Sequence, residues 1–214
     1  MKSAPAQPNL RKAALQMAGG GVVGLIGALS VSALLPEIRG TIAPGAVALL
    51  GVGMIYGLIG LMVGLGLVLP RVGVALLNVA DREDLAEQRA VLTRSVITCV
   101  ALGGALMLLA LSGPTGRVPD TLAAGAMIAA VIVMAAVTVT QWPLYDELMR
   151  GVSMEAAAAM STIVSVVVMS WAMLSHFGRT GPMDPLGLIA VLAGSLLLGT
   201  FIAAGRRGLM MPPQ

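Results

Sequence analysis

The chain has 214 residues, 57% of them hydrophobic and only 11% charged, with a mean hydropathy of +0.94. Those values exclude an ordinary soluble domain. The net charge of +3 and pI near 9.6 do not indicate a nucleic-acid binder, because the basic residues flank apolar runs instead of forming a patch.

Six runs contain no Asp, Glu, Lys or Arg and are long enough to cross a bilayer: 13–35, 46–69, 95–111, 121–142, 156–175 and 186–204. A spanning helix needs roughly 20 apolar residues, or about 17 at the short end. Membrane strands alternate apolar and polar residues, and these runs are apolar on every face. The expected fold is therefore all-α, a polytopic transmembrane bundle of six helices. A single membrane domain covers 13–204, with short tails at 1–12 and 205–214.

The first run follows Lys2, Arg11 and Lys12 and ends near Val31-Ser32-Ala33, the outline of a secretory signal. Its length of about twenty residues and its Gly19-Gly20-Gly21 break favour a retained span. It carries Gly20, Gly24 and Gly27, and the second run carries Gly53, Gly57, Gly60 and Gly64. At 100° per residue the latter four fall within an arc of about 60°. Small residues on one face let another helix backbone approach closely. The short connection 36–45 makes the first two runs antiparallel neighbours, so the two glycine stripes are expected to pack together, with Gly57 and Gly60 on the first span.

Between the second and third runs lies Asn78-Val-Ala-Asp-Arg-Glu-Asp-Leu-Ala-Glu-Gln-Arg-Ala-Val-Leu-Thr-Arg94. Asp81 is the expected N-cap, with Asp84 three residues on. From there the pattern is helical to Leu111, broken only by Gly103-Gly104, so the third span is expected to begin as a water-exposed helix two or three turns long. No acid here has an arginine three or four residues onward, which leaves Asp84, Glu87, Arg89 and Arg94 as solvated charges or as contacts to a partner or another loop. Cys99, within the third run, is read as a small apolar core residue.

The fourth run ends at Pro143, which cannot continue a helix. Trp142 and Tyr145 at one boundary, and Trp171 and Phe177 at the other, hold the usual interfacial aromatic positions. Between the fourth and fifth runs, Asp146 and Glu147 precede Arg150 by four and three residues, a spacing that pairs charges if the stretch is helical. Glu155 is the acid closest to a span, with Arg94 or Arg150 as the expected buried partner. The segment Asp146-Glu147-Leu-Met-Arg150…Glu155-Ala156 resembles a pattern in small uncharacterised proteobacterial integral membrane proteins. It covers about eleven residues and departs from that pattern where Arg150-Gly151 replaces two adjacent arginines. The resemblance implies a membrane protein and no activity.

With the N-terminus inside, ten basic residues fall in inner segments and three in outer loops, so both termini are expected to be cytoplasmic. Eleven Arg against two Lys, with abundant Ala, Gly and Val, fit GC-rich bacterial coding, so the expected location is the bacterial inner membrane. A gapped likeness between Ser30–Gly40 and Thr138–Gly151 is the trace of a 3+3 inverted repeat, while an Arg and a Pro in each outer loop suggest 2+2+2 instead.

Intramembrane ionisable groups usually mark ion paths and proton relays, and these runs hold none. A lone histidine, His176, is too little for a metal site, which generally needs three or four ligands. The expectation is a protein that is not an enzyme and holds no cofactor or metal. It would act as an accessory or scaffold subunit through helix packing and its cytoplasmic loops. Its expected partners are the lipid bilayer and other membrane subunits or a second copy, with no nucleic acid. The alternative is a small transporter or channel for an uncharged or weakly polar solute, lined by hydroxyls such as Thr138, Thr140, Ser161, Thr162 and Ser165.

Overall fold

A computed structural model describes residues 43–77, 79, 82–113 and 116–207. The first apolar run with Gly20, Gly24 and Gly27, the N-terminal tail, Asp81 and the last seven residues lie outside the described residues. Among those described, the chain is all-helical, without strands.

Five long helices account for most of it: α1 (Pro44–Val68), α4 (Arg89–Ala110), α5 (Asp120–Gln141), α6 (Glu147–His176) and α7 (Pro185–Arg206). Two short ones, α2 (Pro70–Leu76) and α3 (Arg82–Glu87), lie between α1 and α4. All five long helices are long and apolar enough to cross a membrane. Their ends follow local chemistry. Pro44 and Pro185 open α1 and α7 at a position where the missing N–H costs nothing. The carboxylates of Asp146 and Asp184 accept from the amides of Met149 and Gly187, capping α6 and α7. Pro143 holds α5 to Gln141, followed by a 3₁₀ turn over Trp142–Leu144. The loop after α4 turns at Gly113, whose φ of +106° only glycine adopts freely. Its amide donates to the Asp120 carboxylate at the start of α5.

The packing order differs from the chain order. Side by side, the long helices run α5, α4, α1, α7, α6. Neighbours α1 and α4, α4 and α5, and α6 and α7 are antiparallel, while α1 and α7 run parallel with Gly45 beside Gly187. The core lies where α1, α4 and α7 meet, around Leu49, Leu50, Leu102, Leu106 and Ala190. Tyr56 crosses it, and its hydroxyl donates to the Ala193 carbonyl 3.0 Å away. Without that bond the phenol would be unsatisfied in an apolar interior. Helices α5 and α6 are joined in sequence but do not pack along each other. Among the described residues they form the two ends of the row.

The segment between α1 and α4 is more folded than a solvated loop. Leu77, Val79 and Leu85 bury themselves against Val63, Leu67 and Leu92, which seats α2 and α3 on the ends of α1 and α4. The helical path from Arg82 is interrupted at Gln88, not at Gly103-Gly104. Even there the backbone bonds continue, from Gln88 to Asp84 and from Leu92 to Gln88. Both glycines are helical, and Gly103 is held against the backbone of α1.

Candidate functional site: the glycine crossing and the charged end

The stripe Gly53, Gly57, Gly60 and Gly64 faces α4. A Cβ added at Gly60 would fall 2.8 Å from Val100 Cγ2, one at Gly64 3.6 Å from Val96 Cγ1, and one at Gly57 3.8 Å from Met107 Cε. At Gly53 it would fall 3.0 Å from the Gly103 carbonyl oxygen. Gly57 and Gly60, expected on the first span, which lies outside the described residues, meet α4. The physical reason is reciprocity. Gly103 supplies a second bare backbone, where a Cβ would fall 2.7 Å from the Gly57 nitrogen and 2.8 Å from the Gly53 oxygen. Gly103 was the residue that sequence reasoning missed. Its signal was a glycine pair inside an uncharged run, which reads equally well as a break. A second close crossing joins α6 to α7, where a Cβ at Gly199 would fall 2.5 Å from the Ala156 oxygen.

Most of the described charges gather at one end of the row. Arg71, Arg82, Arg89, Arg94, Arg150, Arg206 and Arg207 lie at the end where α1 finishes and α4 begins, against Arg117 and Arg179 at the other. Two polar clusters organise this end. In the first, the Arg94 guanidinium donates to the Thr140 carbonyl at 3.2 Å, across from α4 to the last turn of α5. A cation there satisfies a terminal carbonyl and complements the helix dipole. Gln141, 5% exposed, donates from Nε2 to the Val91 carbonyl and accepts from the Tyr145 hydroxyl at 3.0 Å. Burial pushes the Tyr145 phenol above its ordinary pKa. In the sequence Gln141 is one polar residue among others near the end of the fourth uncharged run.

The second cluster joins α6 to α7. Arg207 donates to both carboxylate oxygens of Glu155, at 2.7 and 3.2 Å. The expectation of a buried Glu155 paired with Arg94 or Arg150 is corrected on both counts. The pair is about a third exposed, and its cation comes from the end of the antiparallel neighbour. Gly151 makes this possible. A Cβ there would fall 2.7 Å from an Arg207 guanidinium nitrogen, so the bare glycine leaves the path along α6 that Arg207 takes.

The remaining candidates stay apart. Asp146 caps α6 and therefore does not sit in helical register with Arg150. Asp84 accepts from the Gln88 amide at 2.7 Å. Glu87, Arg89, Glu147 and Arg150 are exposed. Of the five hydroxyls suggested for a polar path, Thr138, Thr140 and Thr162 donate to carbonyls three or four residues back in their own helices. Among the described residues no three His, Cys, Asp or Glu side chains converge as metal ligands. No protein-family model, curated protein sequence or solved structure shows a significant match to the chain.

Proposed function

We propose that the chain is a non-catalytic accessory or scaffold subunit of the bacterial inner membrane, acting through helix packing and its charged cytoplasmic segments. In this reading it has six spans with both termini in the cytoplasm, and the Arg94 end of the row faces inward. The excess of arginines at that end supports the orientation.

The observation that carries the reading is the position of α6. At 30 residues it is about 45 Å long, roughly 15 Å more than the hydrocarbon core. It is held along one side by α7, and among the described residues Ala156 is the one that it buries. Its first turns carry Glu147 and Arg150 clear of the span, and its apolar length is open to a neighbour in the bilayer. The transporter reading is weaker, because Thr138, Thr140 and Thr162 already bond their own helices.

The test is photo-cross-linking in native membranes from Val166 and Met169 on the exposed length of α6, and from Glu147 on its extension. A subunit should give a discrete protein adduct from all three positions, and that adduct should weaken in Arg150→Glu. Lipid-sized adducts alone, with the chain remaining monomeric in mild detergent, would sink the proposal.

A further inference from the structure

A groove opens between α6 and α7 at the Arg206 end. Its mouth is formed by Glu155 and Arg206, and its walls by Ala158, Ala159, Thr162, Ile163, Ile202 and Ala203. We infer that this groove binds one anionic phospholipid from the adjoining leaflet, with its phosphate on Arg206 and an acyl chain along the Ala158–Ile163 wall.

Three observations converge on an amphipathic anion. The first is the charge at the mouth. Glu155 would repel a phosphate, but its carboxylate is already engaged by Arg207. Arg206 makes no direct ion pair or hydrogen bond among the described residues, its charge acts on Glu155 alongside that of Arg207, and it lines the mouth exposed. The mouth thus carries one positive charge in excess, matching a phosphodiester of single negative charge. An arginine is suited to phosphate by its fork of N–H donors.

The second is polarity along the groove. From Glu155 to Ile163 is eight residues of helix, or about 12 Å. Over that depth the only polar wall residue among those described is Thr162, and its hydroxyl donates to the Ala158 carbonyl. The deep part therefore presents an apolar surface to its occupant, whereas a soluble anion would use only the mouth.

The third is relief. Small side chains line α6 at 158 and 159, and Gly199 draws α7 against the Ala156 carbonyl beneath them. The helices are close enough to form a floor, and the alanines leave the space above it empty. The inference concerns the lipid alone and stands whether or not α6 also meets a protein partner.

Native mass spectrometry of the full chain in detergent tests this, with dioleoyl phosphatidylglycerol, dioleoyl phosphatidylcholine and inorganic phosphate as separate probes. Phosphatidylglycerol should bind about fivefold more tightly than phosphatidylcholine, the factor expected from one basic residue near a charged headgroup. Arg206→Gln should abolish that preference and Arg206→Lys should largely keep it. Ala158→Leu, which fills the groove and leaves the charge, should weaken phosphatidylglycerol. Glu155→Gln should not weaken it. Melting curves for each variant establish that it is folded, and Arg206→Ala carries the test if Arg206→Gln does not fold.

Equal binding of the two lipids overturns the proposal, as does a preference that survives Arg206→Gln. Displacement of phosphatidylglycerol by inorganic phosphate would show a free-anion site, and full binding in Ala158→Leu would show a contact with the headgroup only. A wild-type chain that takes up no lipid, alone or as a dimer, would mean that its own tail or a second copy covers the groove. Each of these outcomes overturns the proposal.

Discussion

Gly103 and Gly57 meet backbone to backbone, with 2.7 Å between a Cβ built on Gly103 and the Gly57 amide nitrogen. The neighbouring Gly104 has nothing within 4 Å of its own added Cβ among the described residues. Two adjacent glycines in one helix therefore have opposite roles. The first sets how close α1 and α4 can come, and the second contributes only its backbone freedom.

Gly103→Ala should destabilise the protein by about 1–3 kcal/mol, because the clash is with main-chain atoms that cannot rotate away. Gly104→Ala should be neutral or stabilising by up to roughly 1 kcal/mol, the usual gain from replacing a helical glycine. Thermal unfolding in detergent of the two variants side by side checks this. Equal effects would mean that the α1–α4 crossing does not determine stability.

Gln141 ties the end of α5 to α4 and to the chain that follows. Gln141→Leu keeps the volume and strands the Tyr145 hydroxyl, which then loses its partner. The expected cost is about 1–3 kcal/mol for a buried polar group left unsatisfied. Tyr145→Phe leaves the Oε1 of Gln141, a residue 5% exposed, without its donor and should cost a similar amount, about 1–3 kcal/mol. If the double variant is no worse than Gln141→Leu alone, the two residues act through one another. Simple additivity would show that Gln141 matters only through Val91.

The five described spans were legible in the sequence almost to their ends, because what bounds them is local. Pro44, Pro143 and Asp184 punctuate the chain where uncharged runs start or stop, whereas α6 opens at Asp146, well before its uncharged run at 156–175. Which helix meets which was not legible. In a soluble bundle an apolar stripe marks the buried face, but these helices are apolar all round and the signal is lost. Small residues replace it, and a glycine stripe identifies a contact face without naming the partner. Chain proximity suggested the first span for Gly57; that span lies outside the described residues, and the contact seen is with α4. The same limit misplaced the partner of Glu155. Arg150 is near in sequence, while Arg207 is 52 residues away and reaches Glu155 because α6 and α7 are antiparallel neighbours and residue 151 is glycine.

The orientation proposed for the membrane has its own test. Reporter fusions after Arg89, Arg150 and Gln214 should report the cytoplasm, and fusions after Pro44, Arg117 and Arg179 the opposite side. Either pattern places the described helices alternately. The excess of arginines at the Arg94 end decides between them, and an outside signal after Arg89 or Arg150 would reverse the orientation.

Glu155 gives the sharpest test between a packing role and transport. A proton- or sodium-coupled site near the midplane usually needs a carboxylate there, or broken helices that expose carbonyls. The five described spans carry no acid within their apolar runs, and Glu155 stands at the end of one with its carboxylate held by Arg207. Any solute flux through the purified chain in liposomes should therefore be indifferent to an imposed proton gradient and unchanged in Glu155→Gln. Arg207→Gln should be equally silent, since it frees the carboxylate without moving it toward the midplane. The opposite result is proton-driven uptake in the wild type that disappears in Glu155→Gln. That would mean Glu155 gives up the Arg207 contact and moves within reach of the span during a cycle, and it would place transport above the scaffold reading.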